Sequence, residues 1–103
     1  MKAMLLTAGI VVSFALGGSA WAAGDIDAGK AKASVCAGCH GANGEGKAPN
    51  PALAGKDEKA FAQAMQDYKS GKRSNAAMKT FASSLSDQDV ANLAAYYASL
   101  KAK

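Results

Sequence analysis

The sequence predicts an all-α domain. Three stretches of the 103-residue chain combine helix-favouring residues with capping signals at their ends. No stretch shows the strict alternation of apolar and polar residues that marks a half-buried strand. Residues 41–55, which hold four glycines and two prolines, follow the first of these stretches and are predicted to form a loop.

The first predicted helix spans about residues 27–37. Asp25 or Asp27 can accept hydrogen bonds from the unpaired N–H groups at its start. Its alanines, at positions 28, 31 and 33, have the highest intrinsic helix propensity. The helix is predicted to end within a group of two cysteines and a histidine.

The second predicted helix spans about residues 57–70. Asp57 and Glu58 place negative charge in its first turn, where the helix dipole favours it, and Gly71 provides a stop. Apolar residues recur at i, i+4 and i+7 and define its buried face. They are Phe61, Met65 and Tyr68.

The third predicted helix starts at a sequence typical of a capping box, residues 86–89, and runs to about Lys101. Its apolar residues form one stripe, as expected of a helix that packs against a core. The stripe comprises Val90, Leu93, Tyr97 and Leu100, with Ala94 beside it.

Residues 36–40, Cys-Ala-Gly-Cys-His, contain every cysteine and the only histidine of the chain. C-x-x-C-H is the attachment signature of c-type haem: each thiol adds to a vinyl group of the porphyrin, and the histidine becomes the proximal ligand of the iron. The alternatives are a redox-active C-x-x-C pair, a structural disulfide or half of a zinc site. A structural zinc site needs four ligands, and the chain has only three cysteine and histidine side chains. The motif therefore predicts one haem c bound through Cys36 and Cys39.

The N-terminus has the features of a secretory signal peptide. Lys2 supplies a positive charge, residues 3–16 are uncharged and largely apolar, and Ala20 and Ala22 provide small residues at the −3 and −1 positions of a cleavage site. We expect a cleaved signal peptide at residues 1–22 and one mature domain at residues 23–103, exported to the periplasm without stable membrane insertion. The alternative is an uncleaved anchor, although the apolar run is short for a membrane span.

The charge of the chain gives little indication of nucleic-acid binding. The formal net charge is +4 for the full sequence, and loss of Lys2 with the signal peptide would lower it by one. Two haem propionates would bring the holoprotein to roughly +1, so the lysines are expected to be ordinary solvated side chains. We predict no nucleic-acid partner.

Motifs spread over residues 24–101 resemble those of one family. They are Gly29 ahead of the cysteines and the segments 36–41 (CAGCHG), 51–55 (PALAG), 71–78 (GKRSNAAM), 85–87 (LSD) and 93–97 (LAAYY). The chain resembles class I cytochrome c, nearest the small bacterial monohaem proteins of the c553/c554 and c5-like kind and single domains of dihaem cytochrome c4. The resemblance implies the class I cytochrome c fold, with three main helices and loops wrapped around one covalently bound haem.

The sixth ligand of the iron cannot be a second histidine of this chain, because His40 is the only one. The residues alone leave Met65, Met78, a lysine, the N-terminal amine or an open site. Met65 lies on the apolar stripe of the second predicted helix, which favours a role in the core. Met78 lies in a stretch predicted to be irregular, and the resemblance places the axial methionine of the family at this residue. We therefore predict His40 and Met78 as the two iron ligands.

The resemblance implies further roles around the haem. The carbonyl of Pro51 is expected to accept the Nδ1–H of His40, and Leu53 and Phe81 to wall the pocket. Gly29 is expected to let the first helix cross the last at close range beside Tyr96 or Tyr97. Arg73 and Asn75 are expected to bind a propionate or to brace the segment that carries Met78.

These features predict a one-electron carrier rather than an enzyme, with the haem iron cycling between Fe(II) and Fe(III). Its partners are expected to be redox proteins, a donor and an acceptor such as a membrane dehydrogenase and a terminal oxidase, and the carrier itself is expected to be a monomer. The alternatives are a haem subunit of a larger oxidase or dehydrogenase and a ligand-binding haem sensor or enzyme. The lysines expected to steer partners are Lys47, Lys56, Lys69, Lys72 and Lys79.

Overall fold

The computed structural model describes residues 24–101 and contains five helices and no strand within them. The all-α fold is therefore confirmed. The predicted signal peptide, its cleavage site and the mature N-terminus lie outside the described residues. No helix in the described part of the chain is long and apolar enough to cross a membrane. The helices are α1 (Ile26–Lys32), α2 (Ser34–His40), α3 (Glu58–Ser70), α4 (Ala76–Ser83) and α5 (Asp87–Ser99).

The first predicted helix is two short helices, interrupted at Ala33, and it extends to His40 rather than to Ala37. The predicted start near Asp27 and the predicted end within the cysteine–histidine motif are confirmed. The chain tightens at Ala33, whose carbonyl accepts hydrogen bonds from the N–H groups of both Cys36 and Ala37. Helix α2 then continues through the whole cysteine–histidine motif and ends at His40, because Gly41 has a φ of 96° that a helix cannot contain. At the start of α1, the carboxylate of Asp25 accepts from the N–H of Asp27 at 2.9 Å, and Asp25 is the N-cap.

Helices α3 and α5 begin where the capping signals predicted. Asp57 caps α3 by accepting from the N–H of Ala60 at 3.0 Å, and Gly71 ends it in the left-handed conformation. Ser86 and Asp89 form the capping box of α5, each side chain bonded at 3.0 Å to the backbone N–H of the other. These local signals are sufficient to fix the helix ends because each satisfies N–H or C=O groups that the helix leaves unpaired.

Helix α4 was not predicted, and the expectation that Met78 lies in an irregular stretch is wrong. The side chain of Asn75 accepts from the N–H of Met78 at 2.9 Å and thereby starts a helix over residues 76–83. Met78 consequently lies in the first turn of α4. The backbone at this point is regular, so a helical turn and not a loose loop determines the position of its side chain.

The core forms where α1 and α3 pack against α5, with α4 against α3. Gly29 of α1 lies against α5, where an added Cβ would collide with the carbonyl oxygen of Asn92 and come within 2.8 Å of the Cβ of Tyr96. The close crossing predicted at Gly29 is confirmed, beside Tyr96. The largest fully buried side chains are Tyr97, Phe61 and Leu93, and all three belong to the apolar faces read from the sequence. Leu100 and Tyr68 are only partly buried.

Candidate haem-binding site

A largely apolar cavity with about 630 Å³ of empty volume, part of it open to solvent, lies between α2, α3, α4 and α5. Helix α2 contributes both cysteines and the histidine to its wall, and α3 and α4 contribute one methionine each. The remaining walls come from aliphatic and aromatic side chains. The cavity residues that the sequence analysis named as site residues or as candidates for an iron ligand are Cys36, Cys39, His40, Leu53, Met65, Asn75, Met78 and Phe81.

His40 is held in one orientation at the end of α2. Its side chain is 7% exposed, and its Nδ1 lies 2.7 Å from the carbonyl oxygen of Pro51. This is the hydrogen bond that the resemblance implies. A proton on Nδ1 donates to that carbonyl, which leaves Nε2 unprotonated, the form in which an imidazole binds a metal.

The loop that follows the cysteine–histidine motif is hydrogen-bonded to the carboxyl end of α2. The side-chain amide of Asn50 donates to the carbonyl of Cys39 at 2.9 Å, and the ammonium of Lys47 donates to the carbonyl of Gly38 at 3.4 Å. The N–H of Gly46 reaches the carbonyl of His40 at 2.7 Å. Carbonyls that the helix leaves unpaired are thus satisfied by residues 46–50, which fixes the loop and the proximal histidine relative to each other.

The two cysteines are free thiols with different surroundings. Cys36 is half-buried and Cys39 is exposed. Burial raises the pKa of the Cys36 thiol; a hydrogen bond with the side chain of Tyr97 acts in the opposite direction and more weakly. Neither thiol is committed to a disulfide, so both are available for the two thioether bonds that the motif implies.

Two methionines line the cavity. The sequence analysis predicted only Met78 at the haem and assigned Met65 to the core. Met65 lies in the middle of α3, buried in the core, and its side chain also reaches the cavity wall. Met78 is partly buried, and its place in the first turn of α4 is fixed by the Asn75 cap. Two thioethers therefore face the same cavity, and the assignment of Met78 as the axial ligand stays a prediction that mutagenesis can test.

Of the other predicted site residues, Leu53 and Phe81 line the cavity and Arg73 does not. Leu53 is buried in the wall, and Phe81 stands at the rim with 41% of its surface exposed. The guanidinium of Arg73 instead lies 4.9 Å from the ring centroid of Tyr68, and its backbone N–H bonds to the carbonyl of Asp67. Arg73 thus ties the turn after α3 to that helix, and its predicted contact with a propionate stays a prediction.

Sequence reasoning missed several residues of the cavity wall. Asn50 lies between two prolines in a loop, and nothing in its local sequence indicates that its side chain bonds to α2. Phe61 and Leu93 were recognised as core residues from helical periodicity, which reports burial but not what a residue is buried against. The other wall residues that were not predicted are Val35, Ala77 and Leu85.

The residues present fit a covalently bound haem. A porphyrin needs apolar walls for its faces and edge, two thiols for its vinyl groups and a nitrogen or sulfur ligand on each side of its iron. The cavity presents thiols, an imidazole with its second nitrogen already bonded, and thioethers within an apolar surround.

Comparison with known proteins identifies the family. Residues 26–101 match the family model of cytochrome c. The chain belongs to the cytochrome c family. As a member with one pair of cysteines in C-x-x-C-H, it carries one haem c, attached through Cys36 and Cys39.

Individual relatives of this cytochrome differ in length. Cytochrome c4 of Pseudomonas aeruginosa is 48% identical over 97 residues, which cover 93% of this chain and 48% of the relative. Cytochrome c-554(548) of Halomonas halodenitrificans is 43% identical over 81 residues, covering 75% of this chain and 98% of the relative. A thiosulfate dehydrogenase electron acceptor of Thiomonas intermedia is 36% identical over 103 residues, covering 98% of this chain and 45% of the relative.

Solved structures agree with this placement. The crystal structure of reduced recombinant cytochrome c4 from Pseudomonas stutzeri superposes with a TM-score of 0.73 at 38% identity, over 79% of this chain and 48% of that one. This confirms the class I cytochrome c fold. The chain spans about half the length of the cytochrome c4 relatives it matches.

Proposed function

We propose that this cytochrome is a periplasmic one-electron carrier whose haem iron is ligated by His40 and Met78. The observation that carries the proposal is the convergence of His40, both thiols and Met78 on one apolar cavity. The haem, when bound, supplies the Fe(II)/Fe(III) couple. The chain supplies the imidazole of His40 and the thioether of Met78 as the two protein ligands, together with largely apolar walls.

The ligand set favours electron transfer over catalysis. With an imidazole and a thioether both bound, no position remains open for oxygen or another substrate. A soft thioether ligand favours Fe(II), and an apolar surround disfavours the extra charge of Fe(III), so both features raise the reduction potential. The surrounding helices also hold these ligands in place, which keeps structural rearrangement between the two redox states small.

We further propose that the chain is exported, with a signal peptide at residues 1–22 and a mature N-terminus at Ala23. The support is the positive, apolar and small-residue pattern of the N-terminus together with the haem attachment motif. The mature cytochrome is expected to act as a soluble monomer.

Mass spectrometry and optical spectroscopy of the periplasmic protein test this proposal. We expect a denatured mass equal to residues 23–103 plus one haem, and a far-red absorption band of methionine–Fe(III) ligation in the oxidised form. Carbon monoxide added to the reduced form should leave its spectrum unchanged during the mixing time, because both axial positions are filled. The mass of the bare polypeptide would refute haem attachment, whereas a rapid spectral shift with carbon monoxide would favour a ligand-binding haem protein.

A second candidate function is a haem subunit held permanently in a larger oxidase or dehydrogenase. The observation that favours it is the similarity to a cytochrome subunit of sulfide dehydrogenase of Chlorobaculum tepidum, which is 31% identical over 68 residues. Size-exclusion chromatography of a native periplasmic extract separates the two: a carrier elutes alone at about the size of its own chain, and a subunit elutes with its enzyme.

The lysines predicted to steer partners are not equivalent in the structure. The ammonium of Lys69 donates to the carbonyl of Leu85 at 2.9 Å and so joins α3 to the turn before α5. Lys47 is bonded to Gly38, whereas Lys72 and Lys79 are exposed on either side of the Asn75 cap. Lysines that carry structural hydrogen bonds are less free to contribute steering charge.

We expect charge reversal at Lys72 or Lys79 to slow association with a redox partner while leaving the reduction potential nearly unaltered. Stopped-flow electron exchange with a purified terminal oxidase, measured across a salt series, checks this. The effect should fade as the Debye length drops from about 30 Å at 0.01 M salt to about 10 Å at 0.1 M. Reversal at Lys69 should instead lower the stability, because the bond to Leu85 is lost.

The control for this series is Lys101, which lies exposed just beyond α5 and is not among the residues that line the haem cavity. Its reversal should change neither the association rate nor the stability. Equal slowing by every reversal, Lys101 included, would mean that net charge acts rather than a local patch.

A further inference from the structure

Asn50 lies on the wall of the haem cavity, next in sequence to the proline whose carbonyl is bonded to the proximal histidine. It is half-buried, and its side-chain amide donates to the carbonyl oxygen of Cys39 at 2.9 Å. The carbonyl oxygen of Pro51 lies 2.7 Å from Nδ1 of His40. Two consecutive residues of the loop are therefore bonded to two consecutive residues at the end of α2.

The carbonyl of Pro51 depends on the neighbouring residues for its position. The nitrogen of proline carries no hydrogen, so Pro51 cannot donate a backbone hydrogen bond of its own. On its amino-terminal side, Asn50 exchanges two backbone hydrogen bonds with Lys47, at 2.7 and 3.2 Å. On its carboxyl-terminal side, the N–H of Leu53 donates to the carbonyl of Gly44 at 2.7 Å. These bonds stay within the loop, whereas the side-chain bond of Asn50 connects this part of the loop to the helix that carries the imidazole.

The hydrogen bond between His40 and Pro51 affects the iron through the electron density of the imidazole ring. When Nδ1–H donates to an acceptor, the basicity of the opposite nitrogen, Nε2, increases, and Nε2 is the nitrogen left to bind the metal. A more basic imidazole stabilises the more positive Fe(III) state. A short bond to the carbonyl of Pro51 therefore lowers the reduction potential, and a longer or weaker bond raises it.

We propose that Asn50 is a positioning residue of the haem site. Its bond to the carbonyl of Cys39 holds the carbonyl of Pro51 against Nδ1 of His40 and so lowers the reduction potential. The inference rests on the proposed ligation of the iron by His40. Asn50 thus acts in the opposite direction to the axial thioether and the apolar walls, which favour Fe(II).

The test compares Asn50→Ala with Lys47→Met as holoproteins. Each variant removes one side-chain hydrogen bond from the loop to a carbonyl of α2, but Lys47 is bonded to Gly38 and is not among the residues that line the cavity. At a fixed ambient potential, we expect the ratio of oxidised to reduced protein to fall by at least about twofold in Asn50→Ala, within the range of one net hydrogen bond. In Lys47→Met the ratio should not fall, because loss of a positive charge favours the oxidised iron.

The sign of the change separates positioning from simple loosening of the loop. If Asn50→Ala only loosened the cavity wall, water would enter and stabilise the more charged Fe(III), so the ratio would rise. A rise, no change, or an equal fall in both variants would overturn the proposal. The intact mass and optical spectrum of the wild-type protein show first whether haem is attached and both axial ligands are bound. A failure there counts against the proposed function, whereas a normal wild type with no fall in Asn50→Ala counts against the role of Asn50 alone.

NMR of the reduced, diamagnetic protein provides a second measurement, made on the imidazole itself. We expect the Nδ1–H proton of His40 to exchange with solvent faster in Asn50→Ala than in the wild type, and at the wild-type rate in Lys47→Met. If Asn50→Ala fails to fold, the wild-type protein still tests the proposal. One side-chain amide proton of Asn50 should then exchange slowly and show a nuclear Overhauser effect to protons of Cys39 or His40. Exchange of both amide protons at the rate of an exposed asparagine would contradict the proposal.

Discussion

Replacement of Met78 by alanine is expected to lower the reduction potential and to open the iron to external ligands. The methyl side chain cannot reach the iron, so the thioether that favours Fe(II) is lost while the Asn75 cap of α4 remains. We expect a fall on the order of 100 mV, within the roughly 0.8 V over which axial ligation tunes haem proteins. Potentiometric titration measures the fall, and carbon monoxide or azide binding reports the open position.

The matched control is Met65→Leu, because Met65 is the other thioether on the cavity wall. Leucine conserves the volume of this buried site, so the substitution should cost less than about 1.5 kcal/mol and leave the far-red ligation band intact. If Met65→Leu abolishes that band and Met78→Ala spares it, Met65 is the ligand and the assignment is reversed. The stability of both variants should be measured as well, because loss of an iron ligand also loosens the packing around the haem.

The parts of the fold that sequence predicts well are those determined locally. Asp57 with Gly71, and Ser86 with Asp89, satisfy helix ends within a few residues of themselves, so the pattern alone indicates where α3 and α5 begin. Helix α4 escaped prediction because residues 71–78 have a turn-like composition at their start. The Asn75 cap alone is a weak signal, because no long stretch of helical apolar periodicity follows it.

The haem-attachment part of the candidate site was predictable because its reactive residues are adjacent in the sequence. Residues 36–40 place two thiols and an imidazole within one turn and a half of helix, a spacing with few other uses. The contacts that complete the site join residues that are not adjacent in the sequence, such as Asn50 to Cys39 and Pro51 to His40. Helical periodicity does not predict such pairs, since they exist only once the loop has packed against α2.

Replacement of Gly29 by alanine is expected to destabilise the holoprotein by more than any single surface change. The new methyl group would collide with the backbone carbonyl of Asn92, which belongs to α5 and cannot rotate away as a flexible side chain could. Helices α1 and α5 would have to separate, and overpacking of this kind costs about 1–3 kcal/mol or more. That is a large share of the roughly 5–15 kcal/mol by which domains are stable. Denaturant unfolding of purified holoprotein measures the loss as a fall in the midpoint.

Gly38→Ala is the matched control, because it makes the same change within a helix where an added Cβ meets no atom within 4 Å. Alanine there removes the conformational freedom of glycine and should be neutral or stabilise by up to about 1 kcal/mol. A similar small effect at both positions would show that α1 and α5 do not approach as closely as described. A large loss confined to Gly29 would instead identify the crossing of α1 over α5 as the contact on which the fold depends. Because α1 leads directly into α2, separation of the crossing should also loosen the haem motif, visible as weakened methionine ligation before global unfolding.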